Sequence, residues 1–536
     1  MKKLYVLFAL VLAVSAGHAA LPQPDLIASL HFAGSQNIST DPSYLPFADE
    51  FSCPQAGALA VQTLDKLSHA PYGWFRAKLP ANAGDGSALL RPLLNDLLSS
   101  EWKFEARDMA TGSPEYVLAI RLSPGRDQIW KNNLRQLLEA WTKIPTRAVA
   151  GGWELKKDLP PNLIRVTENN GWLLVDCGQN QLALGETVLE RLIHGPSFSG
   201  ANITGEKEWL AADINWPRLG RWFDDVKALG LPETRFEVVT KNKNLHITGK
   251  GFFPQNLPQN LPAWQLPVKL IHSPFVSLTA VRGFSSWLDS QAWAAPYKIS
   301  PSPDEMFIWS LPNNPFLSFA AVPVPNSTAA LSQSYARLDT ALNMANMRNQ
   351  FLQPYQIIMA NGQIQLHGVP FVTPLLQAAN DPAGQFLVAK VMPDAPPMEP
   401  LPPALSKQLA EKNLVFYHWE VTAERFVQLE QMSQLGLLIS RHQQLPPNSV
   451  TLKWLKKITP ALGYTATTMT RTAPDEITFN RSAPAGLTAF ELLVLGNWLE
   501  ARNFPGFDLS LPPDSANNTQ SLAPAPRMPA MPAPAH

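Results

Sequence analysis

Cysteine is nearly missing: Cys53 and Cys177 are the whole supply in 536 residues. Two thiols cannot build a disulfide scaffold or a cysteine-rich metal cluster, and neither lies in a CxxC pair. Charge is scarce and balanced. Charged residues make up 16% of the chain, against about 25% in typical domains. Lys+Arg and Asp+Glu are equal at 43 each. Phosphate neutralisation needs a basic excess, so the composition excludes nucleic acid as the expected partner.

The motifs that announce a chemistry are also missing. There is no GxSxG and so no nucleophile elbow, and there is no HExxH, GxGxxG or Walker A pattern. Gly249-Lys250 lacks the upstream glycine of a phosphate loop and falls in a hairpin. The ten histidines are scattered, none at i+2 or i+4 from another, so no local metal cluster is written into the chain. No cofactor, metal or catalytic residue is expected on this reading.

What is present argues for a folded chain. Hydrophobic residues reach 45%, with 16 Trp and 25 Phe. Disordered chains show the opposite balance. Proline numbers 51, close to twice the usual ~5%. The prolines are expected in loops, at strand ends and in the tail.

The first twenty residues, MKKLYVLFALVLAVSAGHAA, have the form of a secretory signal. Lys2 and Lys3 form a basic start. Leu4 to Ala16 are apolar but too short for a span of about 20 residues. Small residues follow, with cleavage expected after Ala19 or Ala20. No later stretch is long and apolar enough to span, so the mature chain is expected to carry no integral membrane segment. The expected location is exported, periplasmic or extracellular. That compartment permits a Cys53–Cys177 disulfide; two reduced, buried thiols are the other reading.

Hairpin patterns recur five times, at Trp102–Leu122, Leu163–Gly178, Arg235–Phe253, Gln356–Val372 and Tyr464–Arg481. Asn170-Gly171 and Asn361-Gly362 mark two of the turns, because both residues tolerate positive φ. Strands that run into amphipathic helices recur at Leu210–Leu229, Val276–Ser290, Leu317–Leu342 and Leu414–Met432. Asn215 before Trp216-Pro217, Asn326 to Thr328, and Thr422 offer helix starts.

These patterns predict an α+β fold: antiparallel sheets from repeated strand–helix–hairpin units spaced by about 100 residues, with helices covering one face. The expected organisation is a signal peptide at 1–20, α+β modules at 21–198, 199–395 and 396–510, and a disordered Pro/Ala-rich tail at 511–536. Together with the closing stretch Arg481–Arg502, these units resemble large uncharacterised exported bacterial proteins built from β-α-β-β repeats. The resemblance implies a fold type and no reaction.

Candidate residues are few. His418 and Glu420 share a strand face and pair a base with an orienting carboxylate, or form a polar pair on a wet face. Asp224-Asp225 and Asp475-Glu476 read as solvated carboxylates. His246 and His367 occupy comparable hairpin strands. Trp130, Trp222, Trp287 and Trp498 read as helix anchors, and Trp309 and Trp419 lie on strands. The expected function is non-enzymatic binding or scaffolding in the envelope, for an apolar ligand or a protein partner. The alternative is a hydrolase whose site assembles only in three dimensions.

Overall fold

The computed structural model describes residues 25–506 apart from 41, 48–51, 109–113, 159–161, 180–181, 195–207, 222–226, 228–229, 254–260, 291–298, 348–354, 370–371, 393–398, 441–447 and 502–503. The expected signal peptide at 1–20, the expected tail at 511–536, Asp224-Asp225 and Trp222 lie outside the described residues.

The first ten strands are β1 (Leu26–Phe32), β2 (Trp102–Asp108), β3 (Pro114–Arg121), β4 (Arg147–Val149), β5 (Gly152–Lys156), β6 (Leu163–Asn169), β7 (Trp172–Gly178), β8 (Glu208–Ile214), β9 (Glu233–Lys241) and β10 (Asn244–Phe252). The second ten are β11 (Ser277–Arg282), β12 (Glu305–Ser310), β13 (Ser318–Pro323), β14 (Gln356–Ala360), β15 (Gln363–His367), β16 (Leu375–Asp381), β17 (Gly384–Lys390), β18 (Leu414–Val421), β19 (Tyr464–Ala473) and β20 (Glu476–Ala483). The helices that matter to packing are α1 (Pro54–Phe75), α2 (Ser87–Ser99), α3 (Arg126–Thr142), α4 (Leu184–His194), α5 (Ser327–Met347), α6 (Pro403–Leu409), α7 (Thr422–Ser440), α8 (Val450–Ile458) and α9 (Ala489–Glu500).

All five expected hairpins form, and Asn170, Gly171, Asn361 and Gly362 take positive φ at their turns. The larger expectation is overturned. There are no separate antiparallel sheets made of units of about 100 residues. Among the described residues twenty strands join one antiparallel sheet. Its spatial order is β4-β5-β6-β7-β3-β2-β1-β8-β9-β10-β20-β19-β18-β11-β12-β13-β17-β16-β15-β14.

Strand n of the first ten takes the place of strand n+10 in the second ten, so the pairing pattern of one half recurs in the other. The halves meet where β10 pairs with β20. One row of directly paired residues crosses the whole sheet. From one edge to the centre it reads Val149, Gly152, Thr167, Leu174, Ala119, Lys103, His31, Ala211, Glu237, Thr248. It continues through Asn480, Thr468, Tyr417, Ala280, Phe307, Ala321, Val388, Gln377, Gln363 and Ala360. A half-turn about the Thr248–Asn480 pair therefore carries each residue of the row onto its counterpart, His31 onto Ala280 and Lys103 onto Phe307. Local geometry agrees: Gly34 after β1 and Gly283 after β11 both take positive φ, at 84° and 79°. At Gly34 a Cβ would fall 2.4 Å from the Ser100 carbonyl carbon.

Helices pack on both faces, which corrects the one-face expectation. The reason lies in strands that are apolar on both sides, as alternation sends successive side chains to opposite faces. On β3, Val117 and Ala119 point to the front face and meet Leu184, Val188 and Leu189 of α4. Leu118 and Ile120 point to the back and meet Leu93 of α2 and Trp130 of α3. The second half does the same. Phe319 and Ala321 of β13 meet Leu405 and Leu409 of α6 in front, while Val322 meets Ala330 and Leu331 of α5 behind. Cys53 and Leu59, at the start of α1, join Phe426 of α7, Trp454 and Leu455 of α8 and Leu492 of α9 in a back cluster built from both halves.

Candidate functional site

Among the described residues two buried polar layers stand out, one on each face of the sheet, and the paired Arg282 and Glu305 are buried on the front of the second half as well. The back layer belongs to the second half. His418 stands opposite Thr279 on β11 and Thr467 on β19. His418 Nδ1 lies 2.8 Å from Thr279 Oγ1, and Nε2 lies 3.3 Å from Glu420 Oε2. Glu420 Oε1 accepts a hydrogen bond from the Ala489 N–H at 2.6 Å, at the first residue of α9. Burial opposes ionisation of Glu420, but the His418 ring and the Ala489 N–H hold its carboxyl below the usual range. Beside it, Arg481 donates to both carboxylate oxygens of Glu491 at 2.7 and 2.9 Å, and through Nε to Thr467 Oγ1 at 3.0 Å. Glu491 also closes the α9 capping box with Thr488.

Hydroxyl, imidazole and carboxylate therefore stand in a chain from Thr279 to Glu420, the order of a nucleophile, a base and its orienter. The same chain fastens the start of α9 to the sheet, since Glu420 spends one oxygen on the helix backbone. His418 remains part-exposed, with 14% of its side chain accessible.

The front layer belongs to the first half and was not foreseen. His31 lies 3.2 Å from both Glu101 Oε1 and Glu208 Oε1, and burial notwithstanding, these two carboxylates raise its pKa. Lys103, opposite His31, is buried; desolvation, with Arg191 adding to it, lowers its pKa to about 8. Glu105 is 1% exposed. Burial opposes its charge, but Arg191, at 2.8 and 2.9 Å, and Arg107 hold its carboxyl below the usual range. Across β1, Asp213 pairs with Arg235 at 3.0 Å, and burial still raises its pKa to about 6. At the start of α4, Glu115 Oε1 accepts from the Leu184 N–H at 2.8 Å. Asp176 lies against Gly185, where a Cβ would fall 2.2 Å from Oδ1; burial and Glu115 push Asp176 up to about 7.

The second half shows what this place in the fold otherwise holds. On the same face β11, β12 and β18 present Leu278, Ala280, Phe307, Trp309, Tyr417 and Trp419, a continuous apolar core. Position by position, Phe307 stands for Lys103, Trp309 for Glu105 and Trp419 for Asp213. A buried ion network is often no more stabilising than well-packed apolar side chains of similar volume. The fold therefore does not require the charges of the first half. Burial lowers Lys103 to about 8 and raises Asp213 to about 6 beside Glu105, and perturbed groups gathered in this way mark a candidate site.

The sequence signal for this layer is the alternation Trp102-Lys103-Phe104-Glu105-Ala106-Arg107 within the Trp102–Leu122 hairpin, a pattern that a solvated strand face also gives. The fold buries that face instead. Other candidates stay apart. His246 and His367 lie nine strands from each other in the sheet, on β10 and β15. Among the described residues, no group of three or more His, Cys, Asp or Glu gathers within reach of a metal ion. Glu476 pairs with Lys250 at 2.9 Å, and Asp475 is exposed in the β19–β20 turn. A Cys53–Cys177 bond is not formed: Cys53 sits in the back cluster of α1, α7, α8 and α9, while Cys177 is on β7, its thiol pushed up to about 11 by burial.

Of the tryptophans, Trp130 is buried and donates to Asp96 Oδ2 at 2.8 Å. Trp498 packs edge-on against Phe504, and Trp287 is half-buried. Trp309 stacks on Phe319, and Trp419 meets Phe275 edge-on. Comparison with protein-family models, with curated proteins and with solved structures finds no match to this chain.

Proposed function

We propose that this is an exported, non-enzymatic binding protein of the cell envelope that holds an apolar, lipid-like ligand against the back face of its sheet. One observation carries the reading. A back-face row crosses eight neighbouring strands through Ala212, Phe236, Gly249, Phe479, Met469, Phe416, Val281 and Met306 without meeting a polar side chain. At strand spacings near 4.8 Å the row is about 34 Å long, longer than the ~30 Å hydrocarbon core that two opposed acyl chains fill, so a single acyl chain would cover part of it. Phe479 and Met469 form its closed floor, while Phe236, Phe416, Val281 and Met306 are only half-buried. Ligand sites are characteristically apolar, and the row has that character; Arg481 beside Phe479 is spent on Glu491 and Thr467. The test is titration with a fluorescent fatty-acid analogue. Saturable binding that Phe416→Asp removes supports the reading, and a linear, non-saturating signal sinks it.

The hydrolase alternative keeps one specific support, the Thr279–His418–Glu420 chain. Ester hydrolysis abolished by His418→Gln, with folding intact, would move the assignment to that reading.

A further inference from the structure

Among the described residues, two neighbouring aromatics stand exposed at the end of α1. Trp74 is 60% exposed and Phe75 47% exposed, side by side in the last turn. An exposed indole next to an exposed phenyl is costly to leave in water and marks a contact surface. The tip is braced from below. Trp141, at the end of α3, meets the Phe75 ring at 6.5 Å and donates Nε1–H to the Gly84 carbonyl at 2.9 Å.

The stretch of chain that carries the tip bears charge of one sign. From residue 66 to residue 84 the sequence holds Lys66, Arg76 and Lys78 and no Asp or Glu. Arg76 and Lys78 follow the aromatic pair directly and are exposed. Lys143, exposed at the end of α3, adds a third cation on the neighbouring helix. The acids nearest in the fold already have partners. Glu139 accepts from the Thr146 N–H and Oγ1–H. Asp85 is bonded by His69 and Ser87.

We propose that this tip docks on an anionic lipid surface, with Trp74 and Phe75 entering the headgroup–acyl boundary and Arg76, Lys78 and Lys143 facing the lipid phosphates. Tryptophan prefers that boundary because its ring is apolar and its N–H is polar. Cations beside it gain from the negative surface potential, an attraction that fades within a Debye length. A protein partner would use the same aromatics, but a patch with no acid over nineteen residues of sequence fits a uniformly anionic surface better. This inference stands apart from the ligand row on the back face.

The test is co-sedimentation of the full mature chain with vesicles. Two compositions are used: phosphatidylglycerol mixed with phosphatidylcholine, and phosphatidylcholine alone. The expected result is binding to the mixed vesicles at least about tenfold tighter than to neutral ones, and lost at 1 M salt, where the Debye length falls to about 3 Å. Trp74→Ala with Phe75→Ala weakens binding about tenfold or more, and so, separately, does Arg76→Glu with Lys78→Glu. The side chains of both pairs are exposed, so the variants keep a cooperative thermal transition, which reports that they fold. Phe416→Asp leaves vesicle binding intact, which keeps this result separate from the ligand reading. No binding to mixed vesicles, equal binding to neutral ones, or binding untouched by both double variants overturns the proposal. So does a protein partner captured through Trp74 and Phe75 without any vesicle binding.

Discussion

Thr248 on β10 faces Asn480 on β20, and this pair is the centre of the sheet. Nine strands lie beyond it on each side, ending at β4 and β14, and each strand on one side has a counterpart of the same connectivity on the other. The arrangement gives every position in the first half an internal comparison. Where the halves differ in chemistry at equivalent positions, the backbone is not the cause.

The front layer is the sharpest such difference, and Lys103 tests it. Its pKa is lowered to about 8 in the fold from 10.5. A lowered pKa means that the folded state favours the neutral amine. Stability from this group is therefore present above 10.5 and is lost as pH falls through about 8. Lys103→Met removes that dependence. We expect the variant's melting temperature relative to wild type to be higher at pH 6 than at pH 10. An equal difference at the two pH values would show that the ammonium is not strained by burial.

Asp176 has the opposite sign. Its pKa rises to about 7 from 3.8, so its contribution is full below 3.8 and is lost as pH rises through about 7. Glu115, Arg165 and Glu186 are the charged groups acting on it. Asp176→Asn keeps the shape and removes the titration. Denaturant unfolding is expected to show a gain of up to about 4 kcal/mol at pH 8, at roughly 1.4 kcal/mol per pKa unit, and little change at pH 4.

Arg481 and Glu491 are 2% and 1% exposed and held at 2.7 Å. Arg481→Met alone leaves a buried carboxylate uncompensated and is expected to cost about 3–5 kcal/mol. Arg481→Met with Glu491→Leu is expected to recover most of that loss. A double variant as unstable as the single one would show that the capping role of Glu491 outweighs the ion pair.

In the front core of the second half, Phe307 is fully buried between Ala280 and Ala321. Phe307→Ala is expected to cost about 3–5 kcal/mol through lost transfer energy and the cavity left behind. Lys103→Ala at the equivalent position should cost clearly less. Chemical denaturation of the two variants side by side reads the difference.

Much of the local structure was legible in the sequence. Asn-Gly at 170–171 and 361–362 placed two turns, and the Asn215 side chain caps its short helix by accepting from the Arg218 N–H. His418 and Glu420 were found because alternation puts both on one face. Their partners Thr279 and Ala489 come from more than sixty residues away, through strand pairing that no local pattern encodes. The single sheet was hidden for the same reason: β1 pairs with β2 and β8, and β10 with β20, across long stretches of chain. The charged layer was missed because Lys103, Glu105 and Arg107 alternate with apolar residues just as a solvated strand face does. Only the packing reveals that this face is buried.

Native mass spectrometry of residues 21–536, gently purified, tests the central claim most directly. The account predicts a mass excess that vanishes on denaturation and is absent from Phe416→Asp, with an apolar molecule recovered in the released fraction. A bare polypeptide mass for the wild-type protein, under conditions that keep it folded, would contradict it.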